Sequence, residues 1–446
     1  MLREFITLDG QIEQHHMNIP WHDFEDEDQN ILHADLQTKT TIIGRVGIMM
    51  LACGTGAWRV RESMNSMARV MGVRCSADIG LVSIEFTCYE NGHSTTQALS
   101  LPAAGINTIQ LSELENFVAA FQADGQFLTT KQVNQALDKI KQKSNNYSNI
   151  AIAFAAGFAC SAFVFLLGGG LIEMFCCLIA ASLGSYVRKI MGTKHITALA
   201  GVAASVAVSC LSYAMIFDVL KMIFQVASGH EAGYIGAMLF VIPGFPFITS
   251  GLDIAKTDMR SGLERLAYAL TIIVVATLVG WLVALLVHLK PENFIALHLT
   301  PLELMLLRLP ASFVGVYGFS MMFNSTPRMA VIAGFVGAIA NTLRLELVDL
   351  TAIPAGAAAF FGAFTAGILA SLVQKRSGYP RIAITVPSIV IMVPGLYFYR
   401  AVYEIGNLTL QDGANWLVKA CLIAMFLPLG LMVARLLTDS KWRYTN

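Results

Sequence analysis

The chain has 446 residues, 55% hydrophobic and 13% charged, with a mean hydropathy of +0.61. That composition excludes both an ordinary soluble domain and a disordered chain. Thirty Lys/Arg balance thirty Asp/Glu overall, yet residues 1–148 carry 11 against 17 and residues 149–446 carry 19 against 13. An acidic front end therefore precedes a basic, apolar body, and neither has the basic stripe of a nucleic-acid binder.

Residues 1–34 read as a polar, acidic arm, with DFEDEDQN at 23–30. His15, His16, His22 and His33 lie in or near that run without helical ligand spacing, so a solvated arm is expected there and no metal site. Residues 35–145 read as a small cytoplasmic α+β domain. Helical apolar spacing covers 36–53, GTGA at 54–57 breaks it, and 58–72 continues as a second amphipathic helix. Two β-like runs follow, 78–90 and 94–102, joined by the hairpin signal Asn91-Gly92. Helices are expected at 111–122, opened by a Ser112–Glu115 capping box, and at 129–143.

The first apolar run long enough to target a membrane begins near Ile150, and no signal peptide precedes it, so the front domain is expected in the cytoplasm. Ten apolar segments follow, near 149–168, 170–188, 195–218, 233–255, 265–288, 302–323, 329–344, 352–374, 382–405 and 413–436. Each approaches the length needed to span about 30 Å of hydrocarbon. With the front domain inside, the inner loops hold thirteen Lys/Arg and the outer loops three. This positive-inside bias predicts that both termini are cytoplasmic. Eight scattered cysteines form no CxxC and read as small buried hydrophobes.

Two of the segments are alike. VIPGFPFITSGLDIAKTDMRSGLERL (241–266) and MVPGLYFYRAVYEIGNLTLQDGANWL (392–417) align without a gap at an offset of 151. Six identities result, including Pro243/Pro394, Gly244/Gly395 and Gly262/Gly413, where about two are expected by chance. Asp253 and Glu404 occupy equivalent places. Pro-Gly breaks a helix, and freed backbone groups at membrane depth are tolerated only inside protein or beside a wet cavity. Lys/Arg follow the first copy and are absent after the second, so the copies point in opposite directions. The expected architecture is an inverted 5+5 repeat: halves at 149–290 and 301–437 and a tail at 438–446.

These residues resemble the bacterial threonine/serine exporter family, ThrE type, in its fused form. GAWRVRESMNSMARVMG (56–72) and PAAGINTIQLSELENF (102–117) carry the likeness in the front domain. PGFPFITSGLDIAKTDMRSGLERLAYA (243–269) and TVPSIVIMVPGLYFYRAVYE (385–404) carry it in the two halves. Arg61 before Glu62 departs from the family's shorter Arg-Val-Glu. The resemblance implies export of threonine and serine driven by the proton motive force, across a bacterial inner membrane. A split branch of the family is linked to succinate export, which makes a dicarboxylate exporter the alternative.

The expected substrate or proton pathway comprises Asp253, Glu404, Pro243, Gly244, Pro394, Gly395, Thr249, Ser250, Tyr399, Arg400 and Asn341. An acid in a membrane helix is costly and usually lines a path or pairs, so Asp253 and Glu404 suit an ammonium or a coupling proton. The half-helices after the breaks offer free N–H groups to a carboxylate. The competing readings are headgroup-zone caps for the two acids and helix packing for Asn341. Arg308 is expected to pair with an acid or to snorkel. No GxxxxGK[ST], HExxH or GxSxG occurs, which argues against ATP-driven transport and against a membrane-anchored enzyme, the alternative of a different class. The expected partners are a small-molecule substrate, the lipid bilayer, protons and, as an option the sequence leaves open, a further copy of the chain. No nucleic acid, metal or cofactor is expected.

Overall fold

The computed structural model describes residues 19–24, 28–143, 146–225 and 228–444. Most of the expected arm, His15 and His16 included, lies outside them. The end of that arm belongs to the folded domain: Ile31 N–H donates to the Leu128 carbonyl and Thr130 N–H to that of Gln29. His22 lies 3.2 Å from Asp138.

The amino-terminal domain packs its first two helices against a three-stranded sheet, and two later helices pack against those two. Helix α1 (Leu36–Ala52) starts where the Asp35 carboxylate accepts from the Gln37 and Thr38 N–H groups. It ends at Gly54, whose φ of +82° lies in the region that favours glycine. Helix α2 (Ala57–Val70) follows after two residues. Strands β1 (Arg74–Ile79), β2 (Ser83–Glu90) and β3 (His93–Ser100) form an antiparallel meander. The run expected as one strand at 78–90 is split, because Gly80 N–H bonds the Ser83 carbonyl at 2.8 Å and turns the chain. Asn91 and Gly92 both have positive φ and close the expected hairpin between Glu90 and His93. The inner sheet face puts Ile84, Phe86 and Leu99 onto α1.

Helix α3 (Thr108–Asp124) begins a turn earlier than expected. Its cap is Asn107, which accepts from Gln110 N–H, and Ser112 lies buried inside the helix. Helix α4 (Thr130–Gln142) has a true capping box, Thr129 with Gln132. Burial raises the pKa of the Cys53 thiol at the end of α1, which keeps it a neutral filler.

The rest is a helical membrane body. Among the described residues, eight helices are long and apolar enough to cross a bilayer: α5 (Asn149–Leu166), α6 (Leu171–Thr193), α7 (Ala198–Phe224), α10 (Met259–Leu286), α11 (Pro301–Met322), α12 (Pro327–Leu350), α13 (Ala355–Ser377) and α16 (Leu410–Thr438). Two further spans are broken. Helix α8 (Gly233–Ala237) and the turn to Val241 meet α9 (Gly244–Ala255) at 59°, and α14 (Arg381–Val390) meets α15 (Gly395–Gly406) at 45°. A short α17 (Ser440–Arg443) follows α16. The outer face of α10 leaves Leu263, Leu270, Val274, Leu278, Leu282 and Leu285 exposed, a stripe that suits lipid and not water. The inner faces close on small residues: a Cβ at Gly318 would meet the Ala155 carbonyl at 2.5 Å, so α5 and α11 touch backbone to backbone. The chain is a multi-pass membrane protein.

Candidate functional site

The two Pro-Gly breaks face each other. Pro243 (φ −81°, ψ 60°) and Pro394 (φ −80°, ψ 51°) share one conformation. Each is spanned by a tight turn, Gly244 N–H to the Ile242 carbonyl and Gly395 N–H to that of Val393, both 2.8 Å. A Cβ on Gly244 would lie 3.1 Å from Val390 and 3.4 Å from Val393, while one on Gly395 would lie 2.8 Å from Leu239 and 3.1 Å from Ile242. Val390 and Val393 are Leu239 and Ile242 displaced by 151 positions. Each break thus packs on the equivalent residues of the other. The local geometry goes on repeating: Thr257 and Leu408 both have positive φ (61° and 66°), and Cβ atoms on Gly262 and Gly413 would meet Ile254 and Ile405 at 2.6 and 2.5 Å.

Beyond the breaks the half-helices diverge. Helix α9 runs to the amino-terminal domain. Helix α15 runs the other way, so that Gly406 abuts Trp281, far along α10 from its start at that domain. Ten residues of helix rise about 15 Å, so Asp253 and Glu404 are carried apart. The structure thus does not bring these two residues of the expected pathway together. Glu404 is half-exposed and accepts from the Thr409 hydroxyl. Arg400 does not close an ion pair with it: its Nη2 donates to the Glu292 carbonyl at 3.2 Å, and its guanidinium lies 4.9 Å over the Trp416 ring.

Asp253 is instead the centre of a buried polar knot that includes the front domain. It is 2% exposed. Its Oδ1 accepts from Ala57 N–H at 3.1 Å, and its Oδ2 from the Ser261 hydroxyl at 2.9 Å. Arg265 Nε lies 3.2 Å from Oδ2. The Arg265 Nη atoms donate to the Gly54 and Thr55 carbonyls at 3.1 and 2.7 Å. Helix α2 has no side-chain cap of its own, and the Asp253 carboxylate takes that place, where the helix dipole favours an anion. Gly56 is required by the contact, since a Cβ there would sit 2.5 Å from Asp253 Oδ1. Around the knot, Arg61 pairs with Asp258 at 2.7 Å, Leu81 N–H donates to Glu264 at 2.6 Å, and Thr108 bonds Ser325 at 2.8 Å.

The other expected residues scatter. Thr249 lies beside the knot, 3.5 Å from Arg265 Nη1, with its hydroxyl donated to helix carbonyls. Ser250 bonds the Phe247 carbonyl at 2.8 Å. Tyr399 meets Tyr234 hydroxyl to hydroxyl at 2.7 Å in the core. Asn341 donates to Ser312 at 2.9 Å, a bond between α11 and α12. Arg308 pairs with Glu346 at 2.7 Å and with Asp349. A small cavity beneath α2 is bordered by Asp253 and Thr249, by Trp58 and Arg59 of α2, and by Arg435 and Trp442. Arg265, Ser261 and Arg435 were not singled out from sequence. The available signal was an arginine inside an apolar helix, which a loop-charge tally absorbs as an inner-face cation.

Two family models match the chain: "Putative threonine/serine exporter" over residues 41–288 and "Threonine/Serine exporter, ThrE" over residues 308–437. The chain is similar to the "Probable threonine/serine exporter" of Mycobacterium tuberculosis, 24% identical over 427 residues, covering 90% of this chain and 76% of that one. It is also similar to the "Probable succinate transporter subunit YjjP" of Escherichia coli, 24% identical over 247 residues, 55% of this chain and 93% of that one. With "Pheromone-regulated membrane protein 10" of Debaryomyces hansenii it shares 21% identity over 384 residues, 81% of this chain and 36% of the other. No solved structure matches.

Proposed function

The chain belongs to the threonine/serine exporter family, a family of transporters and not of enzymes, and on that premise we propose that it exports threonine- and serine-like amino acids by secondary, proton-coupled transport. The observation that carries this reading is the reciprocal packing of the two broken spans. Paired interruptions at corresponding places of two halves mark transport sites in secondary carriers. The halves are 149–290 and 301–437, related as an inverted 5+5 repeat, and alternating access is a rocking of one against the other at the facing breaks. Both termini are cytoplasmic in a bacterial inner membrane. Asp253, with Arg265 beside it, forms the cytoplasmic pole of the path and presents a carboxylate and a guanidinium to a zwitterion. Glu404 and Arg400 belong to the opposite pole.

A second reading, dicarboxylate export, is favoured by the arginines Arg59, Arg381 and Arg435 near the Asp253 cavity and by the likeness to a succinate transporter subunit. Counterflow in proteoliposomes separates the two. Preloaded threonine or serine should accelerate uptake of labelled threonine, and a proton gradient should bias it. Exchange of succinate alone would favour the second reading, and exchange of neither would refute both.

A further inference from the structure

The cavity beneath α2 contains a feature that the amino-acid reading above does not use. Arg435 is 4% exposed, and its Nη2 has no hydrogen-bond partner among the described residues. Arg59 and Arg381 nearby each have an unpartnered Nε as well. Arg59 Nη1 is committed to Glu115 at 2.6 Å, and the Arg381 Nη atoms to the Thr438 hydroxyl and the Gly367 carbonyl, both 2.7 Å. Asp439, four residues after Arg435, accepts from the Trp442 amide at 3.2 Å. Asp439 and Glu115 are the anions nearest in effect, yet neither closes an ion pair with Arg435 among the described residues, and a buried guanidinium nitrogen left without a partner is disfavoured because its lost hydration is not replaced. Arg435 also borders the same small cavity as Asp253, with Trp58 and Trp442 in its walls.

We propose that Arg435 is the carboxylate-binding group of the cytoplasmic substrate site. This rests on the exporter reading given above. An anion with a planar carboxylate matches the guanidinium fork. In an amino acid, the ammonium then faces Asp253 across the cavity. The loop 54–57 covers the site from the front domain, and its backbone carbonyls on Arg265 and its amide on Asp253 take the places of ligand acceptors and donors. Substrate therefore enters as that loop lifts.

The test uses the purified full chain in proteoliposomes, with threonine, serine, succinate and threoninol, the alcohol that lacks a carboxylate. Tryptophan fluorescence, read against Trp58→Phe and Trp442→Phe controls, reports binding. Wild type should bind threonine at least tenfold more tightly than threoninol. Arg435→Gln should lose that discrimination and raise the threonine KM about tenfold or more, and Arg435→Lys should restore part of it. If succinate replaces threonine as the ligand and shows the same dependence on Arg435, the carboxylate assignment stands with a different substrate. A KM and a discrimination ratio within twofold of wild type in both folded variants would overturn the assignment alone. Wild type that transports none of the three carboxylates would remove the exporter reading, and the assignment with it.

Discussion

Asp253 and Arg265 hold each other at 3.2 Å, and together they bind three backbone groups of the front domain: the Ala57 amide and the Gly54 and Thr55 carbonyls. An ion pair in the membrane body therefore doubles as the seat of the amino-terminal domain. Breaking one partner of a buried pair strands the other. Asp253→Asn and Arg265→Gln should each abolish export and lower stability by about 3 kcal/mol. The double variant should lose clearly less than the sum, because neither charge is then stranded. Melting in detergent measures the cycle, and additive losses would show that the pair is not coupled.

Gly56→Ala places a methyl group 2.5 Å from the unperturbed position of Asp253 Oδ1. The loop must then lift while both bodies stay folded. Hydrogen exchange at Ala57–Arg59 should quicken at least tenfold, with the amides around Trp281 unchanged. Protection equal to wild type at Ala57 would show that the seat tolerates the methyl group.

The matched geometry that follows the two breaks predicts matched responses. Gly262 and Gly413 meet the same atoms of the preceding half-helix, Ile254 or Ile405 and the carbonyl of Ser250 or Ala401 at 3.2 Å. Gly262→Ala and Gly413→Ala should each cost about 1–3 kcal/mol through overpacking. Tolerance of one with severe loss in the other, by the same melt, would speak against equivalent packing.

Sidedness follows from the same arrangement. Thr257 lies on the face that carries the front domain, next to Asp258 and its partner Arg61, and Thr409 lies beyond Glu404 at the other end. In a cysteine-free background, an impermeant maleimide applied to cells should label Thr409→Cys directly. It should label Thr257→Cys only after permeabilisation. Reversal of that pattern would place the termini outside.

Sequence reading located all ten apolar segments and both breaks, because span length and Pro-Gly chemistry are local properties. It did not show how far apart the two acids lie. An internal repeat declares two positions equivalent, but says nothing of their separation, and antiparallel half-helices carry equivalent residues to opposite ends. The early start of α3 escaped because Ser112–Glu115 satisfies the capping pattern as well as Asn107 does, and only packing chooses between them. Arg265 and Arg435 escaped because charge counts cannot separate a cation at the interface from one sealed in the interior.

The link between the front domain and the membrane body has a consequence for kinetics. Helix α4 ends at Gln142 and α5 begins at Asn149, and Tyr147 between them donates its hydroxyl to the Ser325 carbonyl at 2.8 Å. Six residues reach about 20 Å at most. Once lifted, loop 54–57 thus stays tethered near Asp253 at an effective concentration on the order of millimolar. Its return is unimolecular and independent of how much protein is present. On the proposed transport reading, a substrate at the Asp253 pole competes against this fixed local concentration.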